Sequence, residues 1–130
     1  MKVAISTNGE SLESSIDPRF GRSQYYLIYN TDDDTYESII NPSRQATGGA
    51  GIQAAQDISN MGVEAVITTN VGPNAFRVLE AAKIKVFSGV TGSVKKAVED
   101  FKAGSFDTTA SPTVGEKFGM GSGNARGGRE

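Results

Sequence analysis

Ala65-Val66-Ile67-Thr68-Thr69-Asn70-Val71-Gly72-Pro73-Asn74-Ala75 decides the fold of this chain. Residues 65–69 form a β-branched run that reads as a buried strand. Gly72-Pro73 ends it and opens a helix, since Pro suits the first helical position, where an N–H has no intrahelical acceptor. A strand running straight into a helix is the unit of an open α/β sheet. It leaves the first N–H groups of the helix at the carboxyl end of the strand. Such sheets bind ligands at that edge, and unpaired N–H groups there attract anions.

The flanking segments repeat the step. Gly48-Gly49-Ala50-Gly51 opens a helix with Ala54, Ala55, Ile58 and Met61 at helical spacing, stopped by Gly62. The helix after Gly72-Pro73 carries Phe76, Leu79 and Ala82. Residues 85–88 read as strand five, and Gly89-Val90-Thr91-Gly92-Ser93 opens a helix with Val94, Ala97, Val98 and Phe101, ended by Gly104. Before these units, residues 2–7, 24–30 and 36–41 read as three strands in an antiparallel meander. Thr31-Asp32-Asp33-Asp34-Thr35 forms the solvated hairpin tip, and Pro42 ends strand three. The element order is β-β-β-α-β-α-β-α: an α/β fold with a five-stranded mixed sheet and helices packed on it. Residues 1–104 form this domain, 105–118 are a poorly patterned surface segment, and 119–130 read as a flexible Gly-rich tail.

Composition excludes much chemistry. The 130 residues hold no Cys and no His, so disulfides, thiolate nucleophiles, imidazole bases, Ser-His-Asp triads and Cys or His metal sites are absent. A net charge of −2 gives no basic field for nucleic acid. No apolar run reaches membrane-spanning length, and the N-terminus turns polar at Ser6 rather than continuing as a signal peptide. A cytoplasmic location is the expectation.

Right-handed crossovers place strands four and five beside strand one, so all three helix starts are expected along one sheet edge. The loops after strand one (Ser6-Thr7-Asn8-Gly9) and before strand two (Asp17-Pro18-Arg19-Phe20-Gly21-Arg22-Ser23) share that edge. The candidate binding residues are therefore Asn8, Arg19, Arg22, Gly49, Gly51, Asn70, Gly72 and Asn74, with small hydroxyls from Ser6, Thr7, Thr69 and Thr91. Such a surface holds an anion by charge-assisted hydrogen bonds. It offers no base or nucleophile near neutral pH unless Asp17 is strongly perturbed. Each residue also has a purely structural reading: glycines as tight turns, Asn70 and Asn74 as caps, Arg19 and Arg22 as partners of Asp17 or Glu13. The glycine loops lack the G-x-G-x-x-G spacing and a P-loop Lys-Ser/Thr pair. The strand order resembles that of a ribonuclease H-like sheet, but strands one and four carry no carboxylates for nuclease metals.

The Met1 to Asn8 start, Arg19-Phe20-Gly21-Arg22-Ser23, Asn41-Pro42, Gly48-Gly49-Ala50-Gly51 and Asn70-Val71-Gly72-Pro73-Asn74-Ala75, in this order, resemble the dinitrogenase iron-molybdenum cofactor biosynthesis family. This family comprises small proteins and domains related to NifX and the C-terminal part of NifB. The resemblance spans about residues 1–104. It implies a ribonuclease H-like motif and a non-enzymatic protein, without catalytic residues, that binds or carries iron-molybdenum cofactor or its iron–sulfur precursor. It also implies a protein partner in cofactor assembly; composition, as above, points to no nucleic acid and no membrane. Relatives that hold a cluster are expected to use His or Cys ligands, and this sequence departs from them there. Arg19, Arg22 and the helix starts are left as the cradle, with no metal ligand assigned. The alternative is a protein-interaction or regulatory module with no small ligand. A monomer is the expectation, with pairing at the strand-three edge left open.

Overall fold

The computed structural model describes residues 1–44, 48–109 and 112–113. Five strands, β1 (Lys2–Thr7), β2 (Tyr25–Asn30), β3 (Thr35–Ile40), β4 (Ala65–Ile67) and β5 (Lys85–Phe87), form one sheet in the order β3-β2-β1-β4-β5. β1 pairs antiparallel with β2 and parallel with β4, β4 pairs parallel with β5, and β3 closes the meander antiparallel to β2. The expected five-stranded mixed sheet is the one observed. The Gly-rich tail, 119–130, lies outside the described residues.

Period-two alternation assigns the two sheet faces. Ala4, Tyr26, Ile28, Val66 and Val86 point to one face, where α1 (Ala50–Asn60) and α2 (Pro73–Ala81) bury Ala54, Ala55, Ile58, Phe76 and Leu79. Val3, Ile5, Leu27, Tyr29, Ile67 and Phe87 point to the other, covered by Val94, Ala97 and Val98 of α3 (Val94–Lys102). Three layers result, with β1 at the centre and buried on both faces.

β4 is shorter than its β-branched run. Beyond Ile67 the chain leaves the regular ladder to serve its neighbours: the Thr68 N–H donates to Phe87 O (3.0 Å), and the carbonyls of Thr68 and Thr69 accept from Val90 (3.2 Å) and Gly89 (2.9 Å). Because β1, β4 and β5 run parallel, their carboxyl ends share one edge with the start of β2 and the end of β3. All three helices start from that edge.

Candidate functional site

On one face of the sheet, two helix starts meet. The α1 N-cap is Gly49, in the left-handed conformation (φ 71°), and the α2 N-cap is Gly72; neither has a side chain that can cap. The first bond into α1 is Gln53 N–H to Gly49 O (2.9 Å), and the first into α2 is Phe76 N–H to Gly72 O (3.0 Å). Among the described residues the N–H groups of Ala50, Gly51, Ile52, Asn74 and Ala75 therefore point to no acceptor. The helices touch where they begin, since a Cβ on Gly51 would lie 3.3 Å from the Ala75 Cβ. Unpaired donors at two touching helix starts add their partial positive charges at one place.

A single 3-10 turn, Phe20–Arg22, lies against the start of α1. Phe20 N–H donates to Asn70 O (3.2 Å) and Asn70 N–H to Pro18 O (3.0 Å), so this turn and the loop before α2 brace each other. The turn's carbonyls face inward. Tyr26 Oη and Ser23 Oγ donate to Phe20 O, and the Asn41 amide donates to Gly21 O and Ser23 O, both at 3.0 Å. Burial pushes the Tyr26 phenol up, so it stays a proton donor to that carbonyl. With the backbone satisfied on the inside, Arg19 and Arg22 are the outward groups of the turn. Arg22 Nη1 donates to Arg44 O (3.0 Å), which fixes one terminal nitrogen of its guanidinium.

Asn41, only 3% exposed, was met in the sequence as part of a family motif and not as a site residue. Its side chain accepts from Ser43 N–H (3.0 Å) while bonding both turn carbonyls, and an Asn-Pro pair directly after a strand was its only signal. Asn41→Ala leaves two carbonyls and one N–H unpaired and is expected to destabilise the fold by about 2 kcal/mol. Chemical denaturation checks this, and a loss under about 0.5 kcal/mol would show that water replaces the amide.

Of the sequence candidates, Arg19, Arg22, Gly49, Gly51, Gly72, Asn70 and Asn74 lie on or between these two starts. The Asn70 backbone does the bracing, and its Oδ1 lies 3.4 Å from Thr113 Oγ1. Asn74 Oδ1 accepts from Arg77 Nη1 (3.2 Å), which brings a cation to α2 that sequence reading did not single out. Asn8 belongs elsewhere: its Oδ1 and N–H pair with the backbone of Ser15 (3.3 and 3.2 Å), in the loop that packs on α3.

The third helix start is not part of the cluster. Ser93 caps α3 by accepting from Lys96 N–H (3.2 Å), while Val94 and Lys95 donate to Ser14 O and Leu12 O, both at 2.9 Å. Its donors are spent, and it sits on the opposite face. Three of the four expected hydroxyls are spent too, while Thr91 is exposed beside the α3 start. Ser6 Oγ is fully buried, donates to Asp17 O and shares a hydrogen bond with Thr68 Oγ1, both 2.8 Å away. Thr7 Oγ1 donates to Gly9 O (2.7 Å) and Thr69 Oγ1 to Val90 O (2.5 Å). Local carbonyls outcompete any ligand for them.

Among the described residues, arginines bring positive charge to this edge. Arg19 and Arg22 lie on the turn and Arg77 on α2, and one carboxylate, Asp17, is buried and accepts the Arg19 N–H at 3.0 Å, with Arg19 Nε at 3.9 Å. The groups present can bind an anion by charge and hydrogen bonds. Among the described residues no three His, Cys, Asp or Glu side chains cluster to hold a metal ion. An apolar groove of about 380 Å³ between β3 and α1, lined by Ile39, Ile40, Pro42, Ile58 and Met61, has none of these donors. Among the described residues no helix is long and apolar enough to cross a membrane.

Comparison with known proteins places this frame among relatives. The family described as dinitrogenase iron-molybdenum cofactor matches residues 1–104. An uncharacterised protein of Methanocaldococcus jannaschii is 32% identical over 110 residues, covering 82% of this chain and 90% of its own length. The apo form of the orange protein from Desulfovibrio gigas superposes with a TM-score of 0.85 at 34% identity, over 87% of this chain and 96% of that one. A NifB candidate from Thermotoga, solved by NMR, superposes with a TM-score of 0.76 at 35% identity, over 87% of this chain and 97% of that one.

Proposed function

This chain belongs to the dinitrogenase iron-molybdenum cofactor family, and from that premise we propose that it is a non-catalytic carrier of an anionic metallocluster, held at the α1–α2 edge. The observation that carries this reading is the contact of two uncapped helix starts beside Arg19 and Arg22. Gly49, Gly51, Gly72 and Asn74 build the donor surface, and the guanidinium groups supply charge. The cargo is iron-molybdenum cofactor or its iron–sulfur precursor, as the family's description implies. Iron–sulfur clusters favour thiolate, and this sequence has neither Cys nor His. The donor set therefore fits a preformed anion gripped from outside, not a cluster ligated through its iron by those side chains. A carrier that leaves its cargo unligated can also give it up to an assembly partner. Among the described residues the carboxylate at this edge, Asp17, is buried and already accepts the Arg19 N–H, so no bond-breaking step is assigned here.

Anaerobic titration with isolated iron-molybdenum cofactor, followed by amide NMR, tests the reading. Saturable shifts are expected in residues 19–23, 48–52 and 72–75, with none in residues 93–96, whose donors are already paired. Absence of shifts on the α1–α2 side overturns it. A second reading, docking of a protein partner, draws on the unpaired outer edge of β3, where Ile40 is 72% exposed. In that case Arg22→Ala leaves small-anion binding unchanged.

A further inference from the structure

The family match ends at residue 104, yet the chain does not leave the edge there. Residues 105–109 and 112–113 run along the open side of β5 and on to the loop before α2. The Phe106 ring packs 6.5 Å from that of Phe87. Thr109 then binds the edge strand from both groups: its N–H donates to Val86 O (2.7 Å), and its Oγ1 accepts from Ser88 N–H (2.9 Å). Thr113 does the same one step further on. Its N–H donates to Val71 O (2.9 Å), its Oγ1 accepts from Val71 N–H (2.9 Å), and Asn70 Oδ1 lies 3.4 Å from that hydroxyl.

Val71 immediately precedes Gly72, the α2 N-cap, and is 1% exposed. Asn70 is bound from the other side by Pro18 and Phe20 of the arginine turn. The loop that aims the α2 donors is thus gripped between the turn and Thr113. We propose that Thr113 is a positioning residue of the anion site, so that the functional unit extends past residue 104, where the family match ends. This rests on the reading of the α1–α2 edge as an anion site. A hydroxyl bonded to a buried main-chain N–H fixes the loop's orientation before ligand arrives, and preorganisation of that kind raises affinity without touching the ligand.

Thr113→Val in the full chain keeps shape and backbone but removes the hydroxyl; Thr113→Ser keeps it. Hydrogen exchange of the free protein is expected to show Val71 N–H exchanging roughly fivefold to tenfold faster in Thr113→Val and at the original rate in Thr113→Ser. The dissociation constant for isolated iron-molybdenum cofactor should rise about fivefold in the first variant only. Thr113→Val should lower the melting temperature by no more than the roughly 4–8 °C that one hydrogen bond is worth, leaving the protein folded in the assay, and Thr113→Ser should match the parent. Unchanged exchange at Val71, or equal affinity of Thr113→Val and the parent, overturns the proposal. If the parent binds no cofactor, the carrier reading falls, and Val71 exchange still decides whether Thr113 holds the loop.

Discussion

Gly21→Ala is expected to lower the melting temperature by about 10 °C or more and to remove anion binding with it. A Cβ at this position would lie 2.6 Å from Gly51 Cα and 2.8 Å from Gly51 N. Both are main-chain atoms in the first turn of α1, so no side chain can rotate to make room. Either the helix or the arginine turn must move. Forced overpacking costs about 1–3 kcal/mol, and each kcal/mol is worth about 4–8 °C in a domain of this size. The same close approach puts Arg19 and Arg22 next to the α1 donors, so stability and binding should fail together. Gly48→Ala is the control: its Cβ meets nothing within 4 Å, and it should melt within about 2 °C of the parent. Equal melting of the two variants would show that the Gly21–Gly51 contact does not hold the turn.

The contrast between helix starts explains how much of the site the sequence carried. Gly72-Pro73 and the β-branched run before it specify a strand-to-helix step almost unaided, and period-two alternation in Val3, Ala4, Ile5 and Tyr26, Leu27, Ile28 divides the two faces. Strand order follows from short connections. The difference between α1 or α2 and α3 was also written in the chain: a Gly N-cap has no oxygen to offer, whereas Ser93 does and uses it. That signal, left unused by grouping the three starts together, is local and was legible. The use of Leu12 and Ser14 carbonyls by α3 was not, because it joins segments some 80 residues apart through backbone groups that every residue shares. Thr113 was illegible for the same reason. The small hydroxyls misled because a Ser or Thr at a sheet edge looks identical in sequence whether it faces solvent or a buried carbonyl. Only packing distinguishes Ser6, fully buried against Thr68, from a ligand-facing group.

Removing both guanidinium groups gives the second large effect. The Arg19→Ala, Arg22→Ala double variant is expected to bind isolated iron-molybdenum cofactor roughly a hundredfold more weakly, since a hydrogen bond to a charged group is worth about 1.5–3 kcal/mol. Folding should change little. Arg22 is partly exposed and its bond to Arg44 O is at the surface, and the Arg19 ion pair is a loose one at 3.9 Å. Isothermal titration at two salt concentrations checks the mechanism. The parent's affinity should fall with salt, and the double variant's dependence should be shallower, because screening acts on the charges that have been removed. Arg22→Lys refines the assignment: a lysine restores the charge but not the planar fork, so a fork bonded to both Arg44 O and the anion is restored only in part. Full binding by the double variant would instead place the affinity in the helix starts alone. The edge would then be a dipole site that the arginines only border.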